Sequence, residues 1–182
     1  MKAPSLTYDE CKALQPCADA LKRVAKLMGG AKEWDGKKIS AQAARKAGCT
    51  YDDILWAASA LARSDKDMER RLRLWMADCA ARVLDHYEAK YPADDRPRDA
   101  IVAARQRARG KITAAAAAAA AAAAYAADAA AAAAAAAAAY AAYAASRQKE
   151  RDWQFDRLIL WLGDKEPEDW PLPERQRKQK AA

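Results

Sequence analysis

Residues 113–145 read TAAAAAAAAAAAYAADAAAAAAAAAAAYAAYAA, and this stretch decides the fold. Thr113 is followed by a run of alanine, which only four other residues interrupt: Tyr125, Asp128, Tyr140 and Tyr143. Alanine has the highest helix propensity of all residues, so the stretch predicts one long helix, or two helices if the chain is broken once and folded back. The four other residues share about one third of the helix circumference. The remaining surface carries only methyl groups, and we expect it to be buried against other helices.

The segments around this stretch also show helical patterns. Residues 66–91 carry apolar side chains at helical spacing, namely Met68, Leu72, Trp75, Cys79, Val83 and Tyr87, and residues 146–162 do so at Phe155, Leu158, Ile159 and Leu162. Thr7 with Glu10, and Thr50 with Asp53, have the spacing of capping boxes that begin helices. Ser40 is placed to cap a brief helix to Lys46. We therefore predict an all-α helical bundle.

Two segments depart from this helical pattern. Residues 31–39 contain a Trp-Asp-Gly-Lys turn that predicts at most one short hairpin. Residues 166–173 contain three prolines and predict an extended strap, whose Trp170 and Leu172 we expect to dock on the body of the protein. The expected organisation is a helical segment at 1–49, an alanine-rich core at 50–163 and an extended, partly disordered basic tail at 164–182, all within a single domain.

The charge is spread thinly along the 182 residues, although the formal net charge is +7. Mixed-sign surfaces of this kind are typical of soluble proteins, whereas nucleic-acid binders usually concentrate basic residues on one face. The exception is the segment 96–111, where six basic residues accompany only Asp99. In the predicted helix Arg98, Arg105 and Arg109 lie within about 40° of each other. These arginines either pair with Asp94, Asp95 or Asp78, or form a site for an anion or an acidic partner.

The four cysteines, Cys11, Cys17, Cys49 and Cys79, include no C-x-x-C pair, and His86 is the only histidine. We therefore expect reduced, mostly buried thiols, no metal site and no cofactor. Free thiols and the lack of an apolar signal-like segment favour the cytoplasm. A membrane span is not expected, because alanine is weakly lipophilic and Asp128 would lie within it.

Residues 70–84 (RRLRLWMADCAARVL), residues 91–101 (YPADDRPRDAI), the Ala-Ala-Arg at 103–105, Gly110 and the alanine-rich helix together resemble the Imm-5-like family of immunity proteins. The likeness covers about residues 54–162, and its most specific part is residues 94–101. Members are predicted partners of bacterial polymorphic toxins, and similar proteins occur in phage and prophage genomes. The resemblance implies binding without catalysis. The alanine helix departs from the family, whose members usually carry histidines and charged residues there.

The first hypothesis is therefore a non-catalytic cytoplasmic protein, immunity-like or encoded by a phage, that binds a toxin or a host protein. Its candidate partner-binding residues are Arg96, Arg98, Arg105, Arg109, Tyr125, Asp128, Tyr140 and Tyr143. The tyrosines equally suit gap filling between helices.

The alternative hypothesis is a nucleic-acid-associated phage or prophage protein that uses the basic helix 96–111. The alanine face also allows a symmetric homodimer. An enzyme is not expected, because the chain contains no nucleophile motif, phosphate loop or metal-ligand spacing. The adjacent carboxylates Asp94 and Asp95 are interpreted as helix capping.

Overall fold

The computed structural model describes residues 2–122 and 140–174, and helices dominate these residues. The helices are α1 (Tyr8–Ala13), α2 (Ala18–Leu27), α3 (Ala31–Trp34), α4 (Ala41–Lys46), α5 (Tyr51–Leu61), α6 (Lys66–Lys90), α7 (Arg96–Ala108) and α8 (Tyr140–Trp161), and residues 114–122 are also helical. Two strands of two residues each, β1 (Ser5–Leu6) and β2 (Ile39–Ser40), form a small antiparallel pair. The predicted all-α class is confirmed.

The chain divides into two compact units. The first unit comprises Met1–Trp75 and Ala141–Glu168, and the second comprises Met76–Tyr140 and Asp169–Ala182. Helix α6 contributes residues to both. The candidate functional site lies in the second unit, whereas the small sheet and an apolar cavity lie in the first.

The sequence motifs that begin the short helices act as predicted. Thr7 and Thr50 accept hydrogen bonds from the backbone N–H three residues later, and the carboxylates of Glu10 and Asp53 accept the N–H of the respective threonine. Ser40 accepts the N–H of Ala43 and begins α4. Each motif satisfies backbone donors that have no partner within the helix.

The hairpin that the turn motif allowed within residues 31–39 does not form. Residues 31–34 form α3, and β2 pairs instead with β1, with Leu6 opposite Ile39. Trp34 explains the difference, because its buried ring packs edge-on against Tyr8 at 5.6 Å and its Nε1 donates to the Leu6 carbonyl at 3.1 Å. The indole therefore brings the segment after α3 to the beginning of the chain.

Helix α6 is present as predicted, but its buried face is broader than the predicted stripe. Val83 was placed on the buried stripe and is 44 % exposed, whereas Ala77, Ala81 and Leu84 are buried. Two charged residues, Arg71 and Asp78, are also buried on this helix. The helix is covered on more than one side, so a single apolar stripe does not describe its environment.

In the first unit, Arg71 donates hydrogen bonds to backbone carbonyls at the C-terminal end of α8. Its side chain is 1 % exposed, and its Nη1 donates to the carbonyls of Trp161 at 2.9 Å and Gly163 at 2.8 Å. These carbonyls lie at a helix C-terminus, where backbone acceptors lack helical partners and a cation is favourable. The third and fourth partners are the Lys2 carbonyl at 3.1 Å and the Asp67 carboxylate at 2.7 Å. Leu158, Ile159 and Leu162 of the predicted α8 face are buried beside it.

The alanine-rich stretch is helical over residues 114–122, and Thr113 begins it by accepting the N–H of Ala116 at 3.2 Å. The prediction that the methyl surface is buried is wrong for these residues, since most are exposed and Ala117 and Ala120 are half-buried. Alanine needs no burial to favour a helix, because its propensity is already high. Tyr125 and Asp128 lie outside the described residues.

Candidate functional site

Helices α6 and α7 build the frame of the site in the second unit. Ala77, Ala81 and Leu84 of α6 form a buried cluster with Ile101 of α7. The small alanine side chains allow the close approach of neighbouring backbone. Helix α7 begins with Pro97 in its first turn, where a missing N–H has no cost. The arginines of α7 are thereby held at fixed positions beside α6.

The strap, defined here as residues 166–174, packs its apolar side chains onto this frame. Trp170 and Leu172 contact the cluster of Ala77, Ala81, Leu84 and Ile101, as predicted from the sequence. The Arg82 guanidinium lies 5.4 Å from the centroid of the Trp170 ring, a distance typical of a cation–π contact.

Asp78 and Arg105 bind the backbone of the strap at Trp170. Asp78 is fully buried, and its Oδ1 accepts from Arg105 Nη2 at 2.9 Å and from the Trp170 N–H at 2.8 Å. Arg105, itself 9 % exposed, also donates to the Trp170 carbonyl. Both backbone groups of one strap residue are therefore bound by a buried ion pair.

Arg98 binds the strap at a second point. It forms a two-pronged ion pair with Glu88, with Nε to Oε1 and Nη2 to Oε2 both at 2.7 Å, and its Nη2 also donates to the Pro173 carbonyl at 2.8 Å. Hydrogen bonding to Glu88 raises the pKa of Arg98 above its ordinary value, so the guanidinium keeps its charge. Glu88 holds the planar group in the orientation in which one nitrogen reaches the strap.

Arg109 binds the first strap residue of this unit through its side chain. Its two Nη atoms donate to the carboxylate of Asp169 at 2.9 and 2.6 Å. The same carboxylate lies 3.7 Å from Arg105 Nε. We call Asp78, Arg98, Arg105 and Arg109 the strap clamp. The clamp supplies one acceptor and several charged donors to an extended peptide, a chemistry suited to binding.

Arg96 does not take part in the clamp. Its Nε and Nη2 donate to Asp94 at 2.8 and 2.7 Å, and the Tyr87 hydroxyl donates to the same carboxylate at 2.8 Å. Hydrogen bonding to Arg96, and then to Tyr87, lowers the pKa of Asp94 well below its ordinary value. Asp94 also accepts the backbone N–H of Arg96 at 3.1 Å, as the capping interpretation predicted, whereas the side chain of Asp95, the N-cap residue of α7, makes no capping hydrogen bond. The Arg96 side chain is 51 % exposed.

The structure therefore brings three of the predicted site residues, Arg98, Arg105 and Arg109, to one segment. Asp78 was among the arginine partners expected from the sequence, whereas Glu88 and Asp169 were not. The burial of Asp78 could have been expected as well, because it lies between small apolar residues on the inner side of an amphipathic helix. Of the other predicted site residues, Tyr140 and Tyr143 belong to the helical backbone of α8, while Tyr125 and Asp128 lie beyond the described ranges.

The cysteines and the histidine lie outside the strap clamp. Cys11 and Cys49 are buried, Cys79 is half-buried, Cys17 is exposed, and none of the four forms a disulfide bond. The lone histidine, His86, is exposed. Across residues 2–122 and 140–174, no group of three or more histidine, cysteine or acidic side chains is arranged to hold a metal ion. Within the same ranges, no helix has both the length and the apolarity needed to cross a membrane.

Comparison with known proteins gives one family. Neither the curated proteins nor the solved structures contain a significant match to the chain. A family model described as "Imm-5 like putative immunity protein" matches residues 62–148, which include α6, α7 and all four clamp residues. The resemblance stated from the sequence is thereby confirmed over residues 62–148.

Proposed function

We propose that this protein is a non-catalytic binding protein of the immunity type, which acts in the cytoplasm on a protein partner such as a toxin. The matched family supports a protein partner. The clamp supports the mode of binding, because its groups bind backbone N–H and carbonyl groups of an extended segment.

One observation carries this proposal: Asp78 and Arg105 bind the N–H and the carbonyl of Trp170. Backbone recognition of an extended segment is a recurrent way in which proteins bind peptides, with pockets for side chains supplying specificity. Here the Trp170 ring packs on the apolar cluster of α6 and α7, and the Asp169 carboxylate binds the guanidinium of Arg109. We infer that an extended segment of the partner takes the place of the strap.

The partner segment should share the chemistry of residues 169–173, which read Asp-Trp-Pro-Leu-Pro. An acidic residue would pair with Arg109, and an aromatic ring would follow it. Prolines favour the extended backbone conformation and reduce the entropy lost on binding. A segment of this kind competes with the strap directly.

The remaining predicted residues are proposed as contacts outside the clamp. Arg96 is exposed enough to meet an acidic partner at the beginning of α7. Tyr125, Asp128, Tyr140 and Tyr143 remain candidates, since tyrosine supplies contact area at a low cost in rotamer entropy. Self-association through the alanine face also remains a proposal.

The nucleic-acid alternative has less support. Arg98, Arg105 and Arg109 each have a carboxylate partner within the second unit. A phosphate backbone would need to replace these pairs, whereas an extended acidic peptide replaces only the strap.

A peptide-binding experiment tests the clamp without knowledge of the partner. In the full-length chain, the double substitution Trp170→Ala with Leu172→Ala removes the apolar anchors of the strap. A fluorescent peptide with the sequence of residues 168–174, EDWPLPE, should then bind, as measured by anisotropy. Arg98→Ala in the same background should weaken it about tenfold or more, because one charge-assisted hydrogen bond contributes about 1.5–3 kcal/mol. Arg107→Ala, on the same helix, is the matched control and should leave the affinity unchanged.

Capture from host lysate connects this surface to function. The immobilised full-length protein should retain a protein that is released by excess EDWPLPE but not by the same peptide with alanine in place of tryptophan. Failure of the peptide to bind the anchor-less variant contradicts the clamp proposal. Capture of nucleic acid, abolished by nuclease and by salt, would favour the alternative function.

A further inference from the structure

The first unit contains an apolar cavity of about 300 Å³ that plays no part in the clamp. It is lined by α2, α4 and α5 together with the small sheet. All but two of its lining residues precede position 62, and so lie outside the family segment. Protein interiors rarely leave voids much larger than a water molecule, so a space of this size calls for an explanation.

The wall of the cavity is apolar and partly open. Leu21 and Val24 of α2 and Met28, directly after α2, line it and are only half-buried, and the lining residue Trp56 of α5 is 38 % exposed. These side chains would be expected to close over one another if the cavity were only a packing gap. Their partial exposure gives a molecule from solution access to the apolar wall.

The lining has few polar groups, and its two carboxylates are already paired with arginines. Asp53 is bound by Arg23 and by Thr50, and Asp52 pairs with Arg151. The thiols of Cys11 and Cys49 face the same space from buried positions, and burial raises the pKa of Cys49 to about 11, so it stays uncharged at neutral pH. Among the described residues, no cationic side chain that could bind a carboxylate or a phosphate lines the cavity.

We propose that this cavity binds an uncharged molecule with a single aliphatic chain of about ten carbon atoms. The size follows from volume, because a cavity of about 150 Å³ holds benzene and this one is about twice as large. The lack of charge follows from the lining, which is mostly apolar and whose carboxylates disfavour an anion. This inference is independent of the partner proposed for the strap clamp.

A chain-length series tests the proposal on the reduced, full-length protein. Binding of 1-alkanols from hexanol to tetradecanol is measured by titration calorimetry. Each added methylene should tighten the Kd about fourfold while the chain still fits, and this gain should stop near ten carbons. Decanoate should bind at least tenfold more weakly than decanol. Equal affinities for all chain lengths, or tighter binding of decanoate, would overturn the proposal.

Matched substitutions locate the site. Ala20 lines the cavity, whereas Ala18 lies on the same helix, is exposed and does not line it. Ala20→Phe should fill the space and weaken decanol binding at least tenfold, and Ala18→Phe should leave the Kd unchanged. If Ala20→Phe does not fold, α5 provides a second pair. Ala57→Phe then fills the cavity, and Ser59→Phe at an exposed position is its control. Circular dichroism checks folding. The proposed location is refuted if the control variants lose decanol binding, or if the cavity-filling variants bind decanol as tightly as the unsubstituted protein.

A thiol readout gives independent evidence. In a variant with Cys17→Ser and Cys79→Ser, saturating decanol should slow the reaction of Cys49 with N-ethylmaleimide by at least threefold, because the chain covers the thiol. Hexanol at the same concentration should slow it less. An unchanged rate at decanol saturation would place the ligand elsewhere and overturn the assignment of the cavity.

Discussion

Replacing Asp78 by asparagine tests whether the buried ion pair holds the strap. Asparagine has the same shape and can still accept the Trp170 N–H, so the substitution removes mainly the charge. Arg105 would then keep its guanidinium at 9 % exposure with Asp169 as its nearest carboxylate, 3.7 Å from Nε. Removing one partner of a buried pair costs about 3–5 kcal/mol, and Asp169 should keep the cost near the lower end, at about 3 kcal/mol.

Urea denaturation followed by circular dichroism measures this loss. A reduction of about 3 kcal/mol is a large part of the 5–15 kcal/mol typical of whole proteins, and it should lower the Tm by about 6–12 °C. Hydrogen exchange should show the largest loss of protection at Trp170, since the strap depends on this pair. Asp85→Asn, an exposed position on the same helix, is the control and should change stability by less than about 0.5 kcal/mol.

Two outcomes would refute this account. A loss below about 1 kcal/mol would mean that Asp78 and Arg105 are not coupled in the folded protein. Unchanged hydrogen exchange at Trp170, despite a loss of stability, would mean that the pair supports α6 and α7 but does not hold the strap. The double replacement Asp78→Leu with Arg105→Met separates charge from packing, and it should be more stable than Asp78→Asn because no uncompensated charge remains.

Three further predictions concern the first unit. Arg71→Met should cost about 3–5 kcal/mol in urea denaturation and expose the end of α8 to hydrogen exchange, because several buried carbonyls lose their donor. Burial raises the pKa of Asp53, but hydrogen bonds from Arg23 and Thr50, with the charge of Arg23, together outweigh it, so the pKa lies below its ordinary value in the folded protein. The free energy of unfolding should therefore fall as the pH decreases below about 4. In Asp53→Asn, the free energy of unfolding should fall less steeply over the same pH range. At pH 8, mass spectrometry should find N-ethylmaleimide on the exposed Cys17 first and on the buried Cys49 much more slowly, because burial raises the pKa of Cys49 to about 11.

Local signals made most of the helices predictable from the sequence. The capping boxes at Thr7 and Thr50 act through residues three positions away, so no knowledge of the fold is needed to identify them. The pairing of β1 with β2 is different, since it depends on Trp34 reaching Leu6 across 28 positions of sequence. A turn motif between residues 31 and 39 favoured the local hairpin, and the tertiary contact of the indole decided against it.

The candidate site was predictable in part for a similar reason. Helical spacing placed Arg98, Arg105 and Arg109 on one side of α7, and Trp170 was expected to dock. The choice of partners was not predictable, because Arg109 meets Asp169 across 60 positions and Arg105 meets the Trp170 backbone across 65. An exposed arginine ridge and a buried clamp have the same sequence pattern, and only the position of the strap distinguishes them.

The use of ion pairs rather than apolar packing in the clamp fits a replaceable ligand. A buried ion pair contributes little net stability compared with apolar residues of similar volume, so the clamp is a poor choice if holding the strap permanently were its only role. It does impose strict geometry, because Asp78, Arg98 and Arg105 each bind a particular backbone group. A partner segment that presents the same backbone groups, with an acidic residue before its aromatic ring, meets the same geometry. The low net gain from the strap then leaves such a segment able to displace it.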